Sequence, residues 1–204
     1  MSNHFWLSQS PLILASKSQS RRALLTSASI PLEIIASIVD ERAVENSLAN
    51  AGGEKVSAAL AAAKAIEVSH AHPDRIVLGA DQTLSLGDKL LHKAQTTAQA
   101  KQQLTEMRAA VHQLNSAIAV ATNGSIVFET VSVAKLAVRN FSNEFLDAYI
   151  ESTGPGILSS VGCYQIEAQG IHLFEFVEGD QFTIMGLPLI PLLDYFRQAG
   201  LVRV

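Results

Sequence analysis

Leu12-Ile13-Leu14-Ala15-Ser16-Lys17-Ser18-Gln19-Ser20-Arg21-Arg22-Ala23-Leu24-Leu25 decides how the chain is read. An apolar run of strand type enters a polar, basic turn, and a helix-like stretch leaves it. Cations in the first turn of a helix oppose its macrodipole at a cost of about 0.3–1 kcal/mol each. Arg21 and Arg22 therefore ask for an anion between them and the free backbone N–H groups, and phosphate is the usual one. The plainer alternative is that both arginines point into solvent while the serines only cap the helix.

Working outward, a helix over about 18–29 leads to a second strand at 32–39, which completes a strand, helix, strand unit. An alanine-rich helix is expected over 55–72, ending before Pro73. The next strand is 75–80, followed by a hairpin through Leu84-Ser85-Leu86 and the Gly87-Asp88 turn. A helix over about 96–108 precedes long alternating strands across 111–138, turned at Asn123-Gly124. A helix from Ser142 to about Ser152, two strands near 162–166 and 171–177, and a final helix over 187–199 complete the pattern. The sum is an α/β fold with a mixed sheet in a single domain over 1–204.

Composition narrows the function. With 204 residues and 48% apolar content the chain supports one sizeable core. Its 15 basic and 19 acidic residues are spread along the chain, which argues against extended nucleic acid as a partner. One cysteine, Cys163, excludes a disulfide framework and a multi-cysteine zinc site. That composition, an N-terminus without the charge and apolar pattern of a leader, and no apolar stretch of bilayer length set the expectation of a cytoplasmic protein free of the membrane. Walker A, Gly-x-Gly-x-x-Gly, His-Glu-x-x-His and Gly-x-Ser-x-Gly patterns do not occur.

What remains are charges at the ends of apolar elements. Asp81 follows Ile76-Val77-Leu78-Gly79-Ala80, where a carboxylate emerging from a buried strand suits a general base or a metal ligand, or simply a turn. Lys93 lies on the return of the hairpin that begins at Asp81, and Lys64 stands in the helix before that strand. Each lysine reads equally as part of a solvated face. Asp40 and Glu41 close the second strand on the edge that carries Ser16 to Arg22, and could coordinate Mg²⁺ or remain two solvated acids.

In order and spacing these pieces resemble the Maf family of nucleoside triphosphate pyrophosphatases. The match comprises the stretch at 12–25, Asp40-Glu41, Leu60-Ala61 with Lys64-Ala65, Gly79-Ala80-Asp81-Gln82, Lys93, His112, Gly162-Cys163-Tyr164, Glu178-Gly179-Asp180 and Gly186-Leu187-Pro188-Leu189. The resemblance implies an elongated mixed sheet flanked by helices, of Maf/ITPase-like type, with two lobes around a nucleotide cleft and frequent homodimerisation. It implies hydrolysis of a nucleoside triphosphate to monophosphate and pyrophosphate with Mg²⁺ or Mn²⁺. In that frame Asp81 activates water, Glu41 and Asp81 hold the metal, and Ser16, Ser18, Arg21, Lys64 and Lys93 meet the phosphates. Gln82 and Glu167 resemble the branch that prefers 7-methyl-GTP, while Ser20 replaces that branch's large aromatic side chain. Gln19 and Ala94 stand where prolines are usual. Family members are also associated with inhibition of septum formation, so a nucleotide-binding regulator of cell division with little catalysis is the alternative function.

Overall fold

The computed structural model of the chain describes residues 5–48 and 51–204. Among them lie seven strands: β1 (Leu12–Leu14), β2 (Leu32–Ile34), β3 (Val77–Leu86), β4 (Lys89–Leu91), β5 (Val111–Thr122), β6 (Ser125–Val138) and β7 (Phe174–Glu178). They form one sheet in the order β2-β1-β3-β5-β6-β7, with β4 paired to β3. The sheet is mixed, because β1 runs parallel to β2 and β3 while the remaining pairs are antiparallel. The helices are α1 (Gln19–Ser27), α2 (Glu41–Ser47), α3 (Gly53–Ala71), α4 (Thr97–Met107), α5 (Asn143–Thr153), α6 (Gln181–Ile184) and α7 (Leu189–Gln198). None of the helices among the described residues is long and apolar enough to cross a membrane.

Two apolar clusters share the long strands. Leu12, Leu14, Leu25, Leu78, Ile118, Val120, Leu192 and Phe196 form one, and Leu84, Leu104, Met107, Leu114, Leu136, Leu146 and Leu173 belong to the other. Each of these side chains contributes about 1.5–3 kcal/mol when fully buried. β3 passes from the first cluster at Leu78 and Ala80 to the second at Leu84. The polar run Asp81-Gln82-Thr83 therefore falls between the clusters, which makes the two lobes expected of the chain.

The opposite face of the sheet is closed by α3, whose run of alanines has the highest helix propensity available. Ala61 and Ala65 pack against Ala117, Ala119 and Ala121 of β5. Small side chains on both sides let the helix backbone approach closely, and Gly79 is the tightest point. A Cβ at Gly79 would lie 2.1 Å from the Ala61 carbonyl oxygen and 2.7 Å from the Ala65 nitrogen. With the helix held that near, Lys64 spans the remaining distance to β3.

Several expectations are corrected. Asp81 does not end a strand: 75–80 and the following Leu84-Ser85-Leu86 are one continuous β3, with Asp81 at its middle. The second strand stops at Ile34 instead of 39, and Asp40 is the N-cap of α2, its Oδ1 accepting from the Ala43 N–H at 3.1 Å. Asp40 is thereby a capping residue, and Glu41 opens a helix. The strand expected at 162–166 is a 3₁₀ turn at Val161–Cys163, because Gly162 takes φ of 80°, a left-handed conformation foreign to a strand. α6 was not anticipated. α2 was not anticipated either, whereas α1, α3, α4, α5 and α7 and the Gly87-Asp88 and Asn123-Gly124 turns fall where the pattern put them.

Candidate active site

A cleft of about 1120 Å³ opens between the two clusters. Its wall is drawn from the β1–α1 turn, α2, α3, the middle of β3, the stretch after β4 and the loops at 159–167 and 184–186. Ser16, Ser18, Ser20, Arg21, Glu41, Lys64, Asp81, Gln82, Lys93 and Glu167 all line it. They are not equally connected.

Four of them form one charged cluster. Lys64 Nζ donates to Asp81 Oδ1 at 2.6 Å and lies 2.7 Å from Glu41 Oε1. Lys64 and Asp81 are both buried, whereas the Glu41 side chain is 55% exposed and free to turn outward. Burial pushes the Asp81 carboxyl above its ordinary range; Lys64 and then Arg21 pull it down without cancelling burial, and Glu41 adds to the rise. A buried carboxyl displaced upward, and facing a cleft, marks a candidate functional group.

Arg21 is the second cation and its neighbour Arg22 is exposed, so the two arginines part company. Arg21 Nε donates to the Gly186 carbonyl at 2.8 Å, and Nη1 to the Ala80 carbonyl at 2.8 Å and Ser16 Oγ at 3.1 Å. Burial pulls its guanidinium pKa down, against the opposing fields of Asp81 and Glu41. Nη2 keeps no acceptor among the described residues and is the nitrogen left for a ligand. Ser18 caps α1, accepting from the Arg21 N–H at 3.4 Å, and Ser16 Oγ also accepts from the Ser18 N–H at 3.2 Å. The plainer reading of the serines as local backbone partners thus describes their hydrogen bonds, while both still border the cleft.

Gln82 lies on the other face of β3 from Asp81. Its Nε2 donates to Ser116 Oγ at 2.9 Å, the Thr183 carbonyl at 3.1 Å and the Ile184 carbonyl at 3.0 Å. Carbonyls only accept, so the amide can face them only with its nitrogen, and Oε1 is the atom left toward the cleft. Lys93 and Glu167 are exposed at the rim with no side-chain hydrogen bond among the described residues, and Ser20 is half-buried in the first turn of α1. Lys93 approaches the cleft as the hairpin reading anticipates, but forms no ion pair with Asp81.

Sequence reasoning missed the backbone part of the site. The Gly186 carbonyl, which holds Arg21, follows α6, and Tyr164 in the cleft wall is fixed by His112, whose Nε2 lies 2.7 Å from the Tyr164 hydroxyl. The available signal was the Asp180-x-x-Thr183 spacing, which marks a helix cap after β7.

The Maf-like protein family model matches residues 11–199. The chain belongs to this family. A relative named nucleoside triphosphate pyrophosphatase, from Bradyrhizobium diazoefficiens, is 46% identical over 199 residues, covering 98% of each chain. Another named 7-methyl-GTP pyrophosphatase, from Rhizobium johnstonii, is 46% identical over 193 residues, covering 94% of this Maf-like chain and 97% of the relative. A solved HAM1 protein from Coxiella burnetii aligns with TM-score 0.39 and 14% identity over 63% of this chain and 72% of that one, a likeness too loose to carry an argument.

Proposed function

We propose that this Maf-like protein hydrolyses a nucleoside triphosphate between its α and β phosphates, releasing a nucleoside monophosphate and pyrophosphate. The observation that carries the reading is the cluster of buried Arg21, Asp81 and Lys64 with the more exposed Glu41 at the wall of a nucleotide-sized cleft. The names of its relatives point the same way. Phosphoryl chemistry needs positioning and charge neutralisation more than a covalent nucleophile, which matches a site of Arg, Lys, Asp and Glu.

Asp81 takes the proton of the attacking water as its oxygen bonds to the α phosphorus. The bond from that phosphorus to the bridging oxygen breaks, and the electron pair leaves with pyrophosphate. Arg21, through Nη2, together with Lys64 and Lys93, neutralises the negative charge on the phosphates and the leaving group. Ser16 and Ser18 orient phosphate oxygens. Gln82 Oε1 and the Glu167 carboxylate accept hydrogen bonds from a base that carries N–H donors, as guanine does, and an anionic Glu167 favours a positively charged methylated base. That supports a preference for 7-methyl-GTP.

The donor set fits Mg²⁺ or Mn²⁺. Glu41 and Asp81 converge on the single Lys64 ammonium, and two carboxylates with the rest of the shell left to phosphate oxygens and water is the arrangement such ions take. When bound by Glu41 and Asp81, the ion would supply further charge neutralisation at the phosphates.

Incubation of the full chain with 7-methyl-GTP, GTP, dTTP, UTP and CTP, each with Mg²⁺ or Mn²⁺, and direct detection of pyrophosphate tests the reading. Pyrophosphate with at least one triphosphate is expected. Nucleotide binding without pyrophosphate from any of them would overturn hydrolysis and leave the regulator of division as the better account.

A further inference from the structure

Asp180 does not border the cleft, yet it begins an unbroken set of hydrogen bonds that ends on Arg21. Its Oδ1 accepts from the Thr183 N–H at 2.9 Å, and its Oδ2 accepts from the Thr183 hydroxyl. With the cap in place, the Thr183 carbonyl accepts from Ser116 Oγ at 2.7 Å and from Gln82 Nε2, and the Ile184 carbonyl accepts from Gln82 Nε2 as well. The Gly186 N–H closes the turn on the Thr183 carbonyl at 3.0 Å. At the other end of the same residue, the Gly186 carbonyl takes Arg21 Nε at 2.8 Å.

A guanidinium is planar, so holding Nε and Nη1 fixes where Nη2 points. The Ala80 carbonyl and Ser16 hydroxyl fix Nη1 from the sheet side, and only the Gly186 carbonyl fixes Nε. α6 has a single turn, too short to hold its shape without its cap. We propose that Asp180 is a positioning residue that aims the Arg21 guanidinium at the substrate's phosphates through the α6 turn and the Gly186 carbonyl. The proposal rests on the reading of Arg21 as a phosphate contact. The same turn locks the Gln82 amide with its oxygen outward, so one carboxylate outside the cleft sets two groups inside it.

The test is a double-mutant cycle on Asp180→Ala and Arg21→Ala, read in two ways: affinity for inorganic pyrophosphate by calorimetry, and kcat and KM for GTP with Mg²⁺. Asp180→Ala alone should weaken pyrophosphate binding and lower kcat/KM on the order of tenfold or more, as small misplacements of a positioning group do. On top of Arg21→Ala it should cost little further, because residues acting through one another are not additive. Asp180→Asn, which keeps an oxygen for the Thr183 N–H, should restore most of the loss and guards against a failure to fold. The proposal is overturned by a wild type that does not bind pyrophosphate, by Asp180→Ala or Arg21→Ala matching wild type, or by full additivity of the two. Coupled pyrophosphate binding without turnover would support the positioning role and count against hydrolysis of GTP, which separates the two readings.

Discussion

Lys64 is shared between Asp81 and Glu41, and that sharing decides what a substitution at Asp81 does. Asp81→Asn keeps shape and volume and leaves Lys64 its contact with Glu41, so the buried ammonium does not lose every partner. Folding should survive with a melting temperature within a few degrees of wild type, while kcat falls about 10²–10⁴-fold, the range of a lost general base. Pyrophosphate release within twofold of wild type would remove Asp81 from the chemistry. His112 carries a prediction of a different kind. It is wholly buried, and burial holds its pKa at about 4, against about 6.5 in an unfolded chain. Between those values the unfolded chain binds a proton that the folded chain does not, so stability is full above about pH 6.5 and falls as pH drops toward 4. From pH 7.5 to pH 5 this one group should remove about 2 kcal/mol. Urea unfolding of wild type and of His112→Gln, which does not titrate there, should differ in their pH slopes by that amount; parallel slopes would show that His112 titrates alike in the folded and unfolded chain, with no shift from burial.

At the scale of elements, the close contact of α3 with β3 is what brings Lys64 to Asp81. Gly79→Ala inserts a Cβ 2.1 Å from the Ala61 carbonyl oxygen, a backbone atom that cannot swing aside. The helix must lift from the sheet, at a cost of about 1–3 kcal/mol. Calorimetric unfolding should show that loss together with a fall in turnover, because Lys64 moves with α3; unchanged melting would mean that helix and strand slide without strain. The chain showed the alanine-rich helix and that Gly79 leaves room for a close approach, but not that the two meet. Fully legible were α1, α4, α5, the long β5–β6 pair and both hairpin turns, each of which has a clear period and its own cap or turn residues. β3 was read as two pieces because Asp81-Gln82-Thr83 interrupts its apolar run, and the interruption is the cleft itself. Asp40 was read as a strand end with metal-binding capacity because a cap and a ligand use the same carboxylate, and only the Ala43 N–H tells them apart. The Ala80 carbonyl had no signal, because a backbone acceptor carries no residue identity, and the Gly186 carbonyl had only the indirect one of the Asp180-x-x-Thr183 cap before it.

Over the whole molecule, the cleft lies between the two apolar clusters and draws its lining from both lobes. The β1–α1 turn, α2, α3 and the middle of β3 bring the charged cluster, while Glu167 lines the cleft from the loop at 159–167, exposed and unbound to that cluster. On the proposed reading a nucleotide in the cleft meets the charged cluster with its phosphates and Glu167 with its base. The separation predicts that base choice and phosphate chemistry can be altered independently. Glu167→Gln should therefore change which base is accepted while turnover on the best substrate stays within a few-fold. An ionised carboxylate only accepts hydrogen bonds, whereas an amide of nearly equal volume both donates and accepts, so it can satisfy the mixed edge of a pyrimidine. A site that leaves one polar group unpaired discriminates strongly against the wrong partner. Values of kcat/KM for 7-methyl-GTP, GTP, UTP and dTTP should shift from the purines toward UTP and dTTP in the variant, with the loss largest for 7-methyl-GTP, whose positive ring charge no longer faces an anion. An unchanged ranking would remove Glu167 from the base contact and leave selection to Gln82 Oε1, the acceptor that the α6 carbonyls already fix toward the cleft.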